Sequence, residues 1–393
     1  MSPRQNSNRI PYLDMAKGFG MVLVLCGHLQ NDTVFSFSPY IREFCKWIFS
    51  FHMPMFFIVS GILFAAKGEI PEMKTFFRKR FSTIMVPYIG FSIIYFAVII
   101  YGVFVSHSME IPDLFIQLWY AVSMYGINVL WFLPALFFAE MLFALIMKKF
   151  SGNKRWVVML LLLAAAMGIN EARHFLPEGV AWCERIGEVI VTLIRPVFAC
   201  SFITIGYLSA VGLLRWETGG RSCCLLLFKR IKTNALTLQK GDNRTVPLSP
   251  LSLIILPILL AVNIVTVVFN APEDLRSLVL NNYALYYIGA VAGSGFVILL
   301  CAALSSLSKS GKAFPILRFF GRNSLVFMAV HNNPAIWILS LNVAMFVNQF
   351  VTRARGYISY AVIVLCFLLY VSVMIILINR FAPILAGKRR STT

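Results

Sequence analysis

The stretch YLDMAKGFGMVLVLCGH, Tyr12 to His28, decides the fold. It sits in an apolar run from about 10 to 30, long enough for one helical crossing of a ~30 Å hydrocarbon core. Three ionisable side chains interrupt it: Asp14, Lys17 and His28. Lys17 and His28 are eleven residues apart, close to three turns of about 3.6 residues, so they share one face about 16 Å apart along the axis. Asp14, three residues before Lys17, joins the same stripe. Charge inside a lipid-embedded helix is costly and faces a bundle interior or a wet cavity, so this stripe marks where chemistry is to be sought. The other reading is a Lys17 that snorkels and a His28 that packs by hydrogen-bonding a neighbouring helix.

Outward from this helix the pattern repeats. Of the 393 residues, 59% are apolar and 13% charged, and the mean hydropathy of +0.79 lies far from that of a water-soluble chain. The expected class is an all-α integral membrane protein, a bundle of about ten transmembrane helices forming one domain over residues 1–393. The spans are expected near 10–30, 44–66, 82–105, 129–147, 156–170, 188–213, 250–269, 283–305, 323–345 and 357–385. The polar start, Met1 to Asn8, leads into an apolar run with no small-residue cleavage site after it, and is read as a retained first span.

The net charge of +19 would suggest nucleic acid in a soluble chain, but the basic residues lie in the gaps between apolar segments, and no nucleic-acid partner is expected. Gaps on the side of the N-terminus carry 26 of the 35 Lys and Arg, the opposite gaps seven, and Lys17 and Arg195 fall inside spans. The positive-inside rule therefore places both termini in the cytoplasm, with the basic loop 215–249. Lys229, Arg230 and Lys232 in that loop suit either contact with anionic membrane lipid or a solvated connector. The eight cysteines show no paired metal-ligand spacing and read as buried thiols; no metal site is expected.

Further ionisable groups enter other spans. His52 in FHMPMFF lies near the outer half of the second span and His331 in VHNNP near the middle of the ninth. Arg195 lies about 10 Å inside the sixth and needs a partner, for which Glu140, Asn332 and Asn333 are candidates. Arg78, Lys79 and Arg80 at the mouth of the third span, with Arg318 and Arg322 before the ninth, suit a phosphorylated cytosolic donor or ordinary positive-inside anchoring.

At these residues the sequence resembles the integral membrane acyltransferase family 3, whose members O-acylate sugars and cell-surface polysaccharides. Lys17 and His28 reproduce that family's basic residue, ten intervening residues and histidine. FHMPMFFIVSG, Phe51 to Gly61, resembles the second-span signature of the fucose O-acetylase-like branch. The basic run leading to Pro87-Tyr88, the Trp131-Phe132-Leu133 opening, and FFGRNSL followed by His331 complete an ordered set over roughly residues 9 to 340. One position departs: where members carry a second arginine three residues after the one matched by Arg80, this chain has Thr83.

The resemblance implies an acyltransferase of the bacterial inner membrane with no tightly bound cofactor. Acyl-CoA, most often acetyl-CoA, would arrive from the cytoplasm with its phosphates near Lys17, Arg78 and Arg80. The acceptor would be a hydroxyl of a carbohydrate or lipid-linked glycan. His28 would be the base, with Asp14 fixing geometry; His52 would line the substrate path, and from the chemistry alone Arg195 and His331 would steady the thioester oxygen or orient the sugar. Two rivals remain. Buried charges suit a transporter or exporter of a polysaccharide precursor equally well, and a membrane scaffold without activity is the third reading, against which the retained Lys17 and His28 speak.

Overall fold

A computed structural model describes residues 10–29, 39–218, 250–270, 273–307, 314–332, 346 and 355–388. The basic loop from 219 onward, Asn333 and the outer part of the expected ninth span lie outside the described residues.

The described chain is helical throughout, apart from one small hairpin. In chain order the helices are α1 (Pro11–His28), α2 (Pro39–Phe49), α3 (His52–Lys67), α4 (Met73–Arg80), α5 (Val86–Phe104), α6 (Ile111–Val122), α7 (Phe132–Lys149), α8 (Lys154–Arg173), α9 (Ala181–Thr218), α10 (Pro250–Asn270), α11 (Tyr283–Leu307), α12 (Pro315–Arg322), α13 (Ser324–Val330) and α14 (Arg355–Phe381). Strands β1 (Glu273–Asp274) and β2 (Val279–Leu280) pair antiparallel between α10 and α11. Among the described residues seven stretches are long and apolar enough to cross a membrane. These are Pro39–Lys67, Met73–Phe104, Asn128–Lys149, Lys154–Arg173, Ala181–Gly212, Tyr283–Ser305 and Tyr360–Phe381. The chain is a multi-pass, all-α membrane protein. Ile93, Leu161, Leu193 and Leu369 point outward, as lipid-facing side chains of spanning helices do.

Several elements differ from the even spans expected. The second expected span is two helices, broken at Ser50 and Phe51. Pro54 has no N–H to offer the Ser50 carbonyl, which favours a break there. Neighbouring helices hold the gap: Asn263 of α10 donates to the Ser50 hydroxyl at 3.0 Å and to the Gly289 carbonyl at 2.8 Å. The ninth expected span begins with the short helix α13, which follows the short α12 directly at Asn323. Helix α6 lies in a gap where no helix was expected.

Two close crossings order the bundle. Helices α1 and α12 touch backbone to backbone, so that a Cβ on Gly18 would stand 1.8 Å from the Leu317 carbonyl oxygen and one on Gly321 1.7 Å from that of Asp14. Helices α3 and α9 cross likewise at Gly61 and Gly206. Such small-residue contacts drive association in lipid, where apolar burial between helices is worth little.

Candidate active site

The far end of α1 from Lys17 opens on a cavity of about 260 Å³ lined by His28, His52 and His331. The His28 and His331 rings stand 5.2 Å apart, centre to centre, tilted by 46°. Phe49 lies between His28 and His52, its centre 6.2 Å from the first and 5.2 Å from the second. Local backbone geometry orients two of the three rings. His331 ends α13, where the last carbonyls have no partner within the helix, and its Nδ1 donates to the Met328 carbonyl at 2.7 Å. His52 begins α3 beyond the break, and its Nδ1 donates to the Ile48 carbonyl at 2.9 Å. Each neutral ring therefore keeps its Nε2 as an acceptor. His331 Nε2 is buried and has no hydrogen-bond partner among the described residues.

The hairpin closes this cavity, which Glu273, Asp274, Leu275 and Arg276 line. Asp274 shapes its turn by accepting from the Arg276 N–H at 2.8 Å and the Ser277 hydroxyl at 2.6 Å. Asn170 of α8 donates to the Leu278 carbonyl at 3.0 Å and so fixes the hairpin to the bundle. Asn270 donates to the Glu273 carboxylate. Burial pushes the Glu273 carboxyl up to about 7, against that hydrogen bond. Among the described residues no group of three His, Cys, Asp or Glu side chains is placed to hold a metal ion.

The other end of the bundle is basic. A cavity of about 1220 Å³ is lined by Lys74, Arg78, Lys79, Thr83 and Lys388, with Phe381 and Ile384 as its apolar wall. Asp14 pairs with Lys17 at 2.9 Å and meets Arg322 of α12 at 3.4 Å, a contact that the Gly18–Gly321 crossing permits. Arg80 turns away from Arg78. Its Nε is 2.8 Å from Glu140, an ion pair out of line for a hydrogen bond, and its guanidinium lies over Phe76 at 5.4 Å. Glu140 also accepts from the Ser60 hydroxyl at 2.5 Å.

A profile described as an acyltransferase domain matches residues 10–378, nearly the whole chain. The chain belongs to the acyltransferase family 3. A segment of 67 residues is 39% identical to the nodulation protein NolL of Mesorhizobium japonicum, covering 16% of this chain and 17% of that protein. No solved structure matches.

In this family member the expected site residues separate into two groups. His28, His52 and His331 share one cavity, and Arg78 lines the other. Asp14 stands fourteen residues before His28, about 21 Å along the helix, so its carboxylate orients Lys17 and Arg322 rather than the imidazole. Arg80 is held by Glu140. Of the three candidate partners of Arg195, Glu140 pairs with Arg80, Asn332 donates to Asn128 at 3.0 Å, and Asn333 lies outside the described residues. Arg195 lies behind the histidine cavity, its guanidinium over Trp131 at 5.0 Å and Tyr125 at 5.1 Å, and it donates to the Tyr125 carbonyl at 3.3 Å. Thr83 does not leave a bare gap: its hydroxyl donates to the Lys79 carbonyl at 2.9 Å, and Arg78 and Lys79 supply the cavity's charge. Sequence reading missed the hairpin carboxylates. Their signal was the density of Asn270, Glu273, Asp274, Asn281 and Asn282 in one short gap.

Proposed function

We propose that this acyltransferase moves an acetyl group from acetyl-CoA, held at the cytoplasmic, basic end, to a hydroxyl of a cell-surface carbohydrate or glycolipid that enters at the histidine end, in a bacterial inner membrane. The observation that carries the reading is the placement of His28 and His331, 5.2 Å apart, in a cavity at the opposite end of α1 from Lys17. In this reading the CoA phosphates lie against Arg78, Lys79 and Lys17, where charge-assisted hydrogen bonds suit a polyanion. Asp14 keeps the Lys17 ammonium in place.

Between the two ends lies a smaller apolar cavity of about 130 Å³, lined by Tyr95, Ala329, Val330 and Leu385. It adjoins residues of both other cavities and suits the uncharged arm of the donor. At the histidine end His28 takes the hydroxyl proton as the acceptor oxygen attacks the thioester carbonyl. The C–S bond then breaks, and the proton passes on to the leaving thiolate. His331, with Nδ1 engaged, offers Nε2 to hold the acceptor hydroxyl in line.

CoA release by the purified chain in nanodiscs, given acetyl-CoA and surface glycan, tests this. His28→Ala is expected to lower the rate by about a hundredfold or more, with the melting temperature kept. An unchanged rate removes His28 from the chemistry.

A further inference from the structure

Beside the histidine cavity, two arginines from different elements meet at one tyrosine, and a third packs against the helix that carries one of them. Arg195 of α9 lies over the Tyr125 ring at 5.1 Å and Arg276 of the hairpin at 5.7 Å. Arg173, the last residue of α8, packs against α9 at Gly187, about two turns before Arg195. Arg195 is 1% exposed. Buried guanidinium N–H groups are almost always hydrogen-bonded, yet Nε and Nη2 of Arg173, Nε and Nη2 of Arg195, and Nε of Arg276 bond to nothing among the described residues. Stacking on aromatic faces does not answer this, because the donors lie in the guanidinium plane and point past the ring.

The neighbouring carboxylates are engaged elsewhere. Asp274 holds its own turn, Glu273 accepts from Asn270, and Glu171 accepts from Tyr283 at 2.6 Å. Glu188 takes Arg185 and Trp119, each at 2.8 Å. The segment that presents Tyr125 is strained as well: Met124 and Asn128 have φ of 60° and 49°. Strain of this kind persists where the surroundings enforce it and gathers at ligand clamps. Arg276 lines the histidine cavity itself, and Trp131, under Arg195, forms part of its wall.

We infer that Arg173, Arg195 and Arg276 form a seat for an oxyanion, a carboxylate or a phosphate, carried by the acceptor whose hydroxyl is acylated. The inference rests on the acyl-transfer reading for the word acceptor, but not for the site. Guanidinium groups suit both oxyanions through paired N–H donors, and a charge fixed beside the histidines would hold an adjacent hydroxyl in register with His28. The acceptor is then an acidic glycan or a glycan linked through phosphate to a lipid, and neutral sugars are poor substrates.

The test is direct binding to the full chain in nanodiscs, with two matched probe pairs. One pair is a uronic-acid oligosaccharide and its carboxyl-reduced counterpart; the other is a polyprenyl phosphate and the free polyprenol. The seat predicts that one anionic probe binds at least tenfold more tightly than its neutral partner, and that Arg276→Gln and Arg173→Gln each remove most of that difference, the loss of a hydrogen bond to a charged group. The pair that discriminates identifies the oxyanion as carboxylate or phosphate. Binding is read without acetyl-CoA and needs no turnover, so failure of the acyl-transfer reading would leave the binding result intact. Equal binding of anionic and neutral partners in both pairs overturns the proposal. So does a preference that both arginine variants retain while melting as the unaltered chain does.

Discussion

His331 donates its Nδ1 hydrogen to the Met328 carbonyl, so one side chain both caps a helix and presents a lone pair to the cavity. The two roles separate in His331→Asn, whose amide can still reach the last-turn carbonyls but has no nitrogen at the Nε2 position. CoA release should fall at least tenfold while the melting temperature holds; an unchanged rate would reduce His331 to a cap. Arg78 and Arg80 give the opposite contrast. Arg80 is paired with the buried Glu140, so Glu140→Gln leaves an uncompensated charge and should cost about 3 kcal/mol in stability, read as a lower melting temperature. Arg78→Ala should leave melting unchanged and raise the KM for acetyl-CoA. Sequence reading grouped these two arginines because they are two residues apart, and hydropathy carries no record of which side chain a neighbouring helix neutralises. The three histidines were legible, since each is an ionisable residue inside an apolar run at a matching depth.

At the scale of elements, the hairpin between α10 and α11 is the part of the site that the sequence hid. Two-residue strands have no periodicity to read, and this pair is held by Asn170 from α8 and Asn270 from α10. Its Glu273 has a folded-state pKa of about 7, above the ordinary 4.5. The folded chain therefore binds more protons than the unfolded one between these values, so stability due to this group falls as pH rises from about 4.5 to about 7. Melting of the unaltered chain in nanodiscs should decline across that window, and Glu273→Gln should flatten the decline. A decline of equal size in the variant would assign it to another group. The break in the second span was hidden for a related reason: a proline inside an apolar run says that a helix bends or ends nearby, while the residues that stabilise the gap, such as Asn263, come from distant sequence.

Across the whole molecule, the basis of the account is the separation of two ends. Lys17 and His28 stand about 16 Å apart on one helix; His28 lines the small histidine cavity, and Lys74, Arg78, Lys79 and Lys388 line the large basic one. The membrane class followed directly from composition, because no water-soluble core accommodates 59% apolar residues in runs of this length. What composition could not show was that charge at the histidine end is gathered at Tyr125, since Arg195 and Arg276 come from widely separated parts of the chain. Acyl transfer through His28 is decided by following label from acetyl-CoA into surface glycan in cells lacking the chain, complemented with the unaltered protein or with His28→Ala at matched expression. Label should appear with the unaltered protein and essentially none with His28→Ala; equal labelling by both, or labelling by neither, would rule the mechanism out.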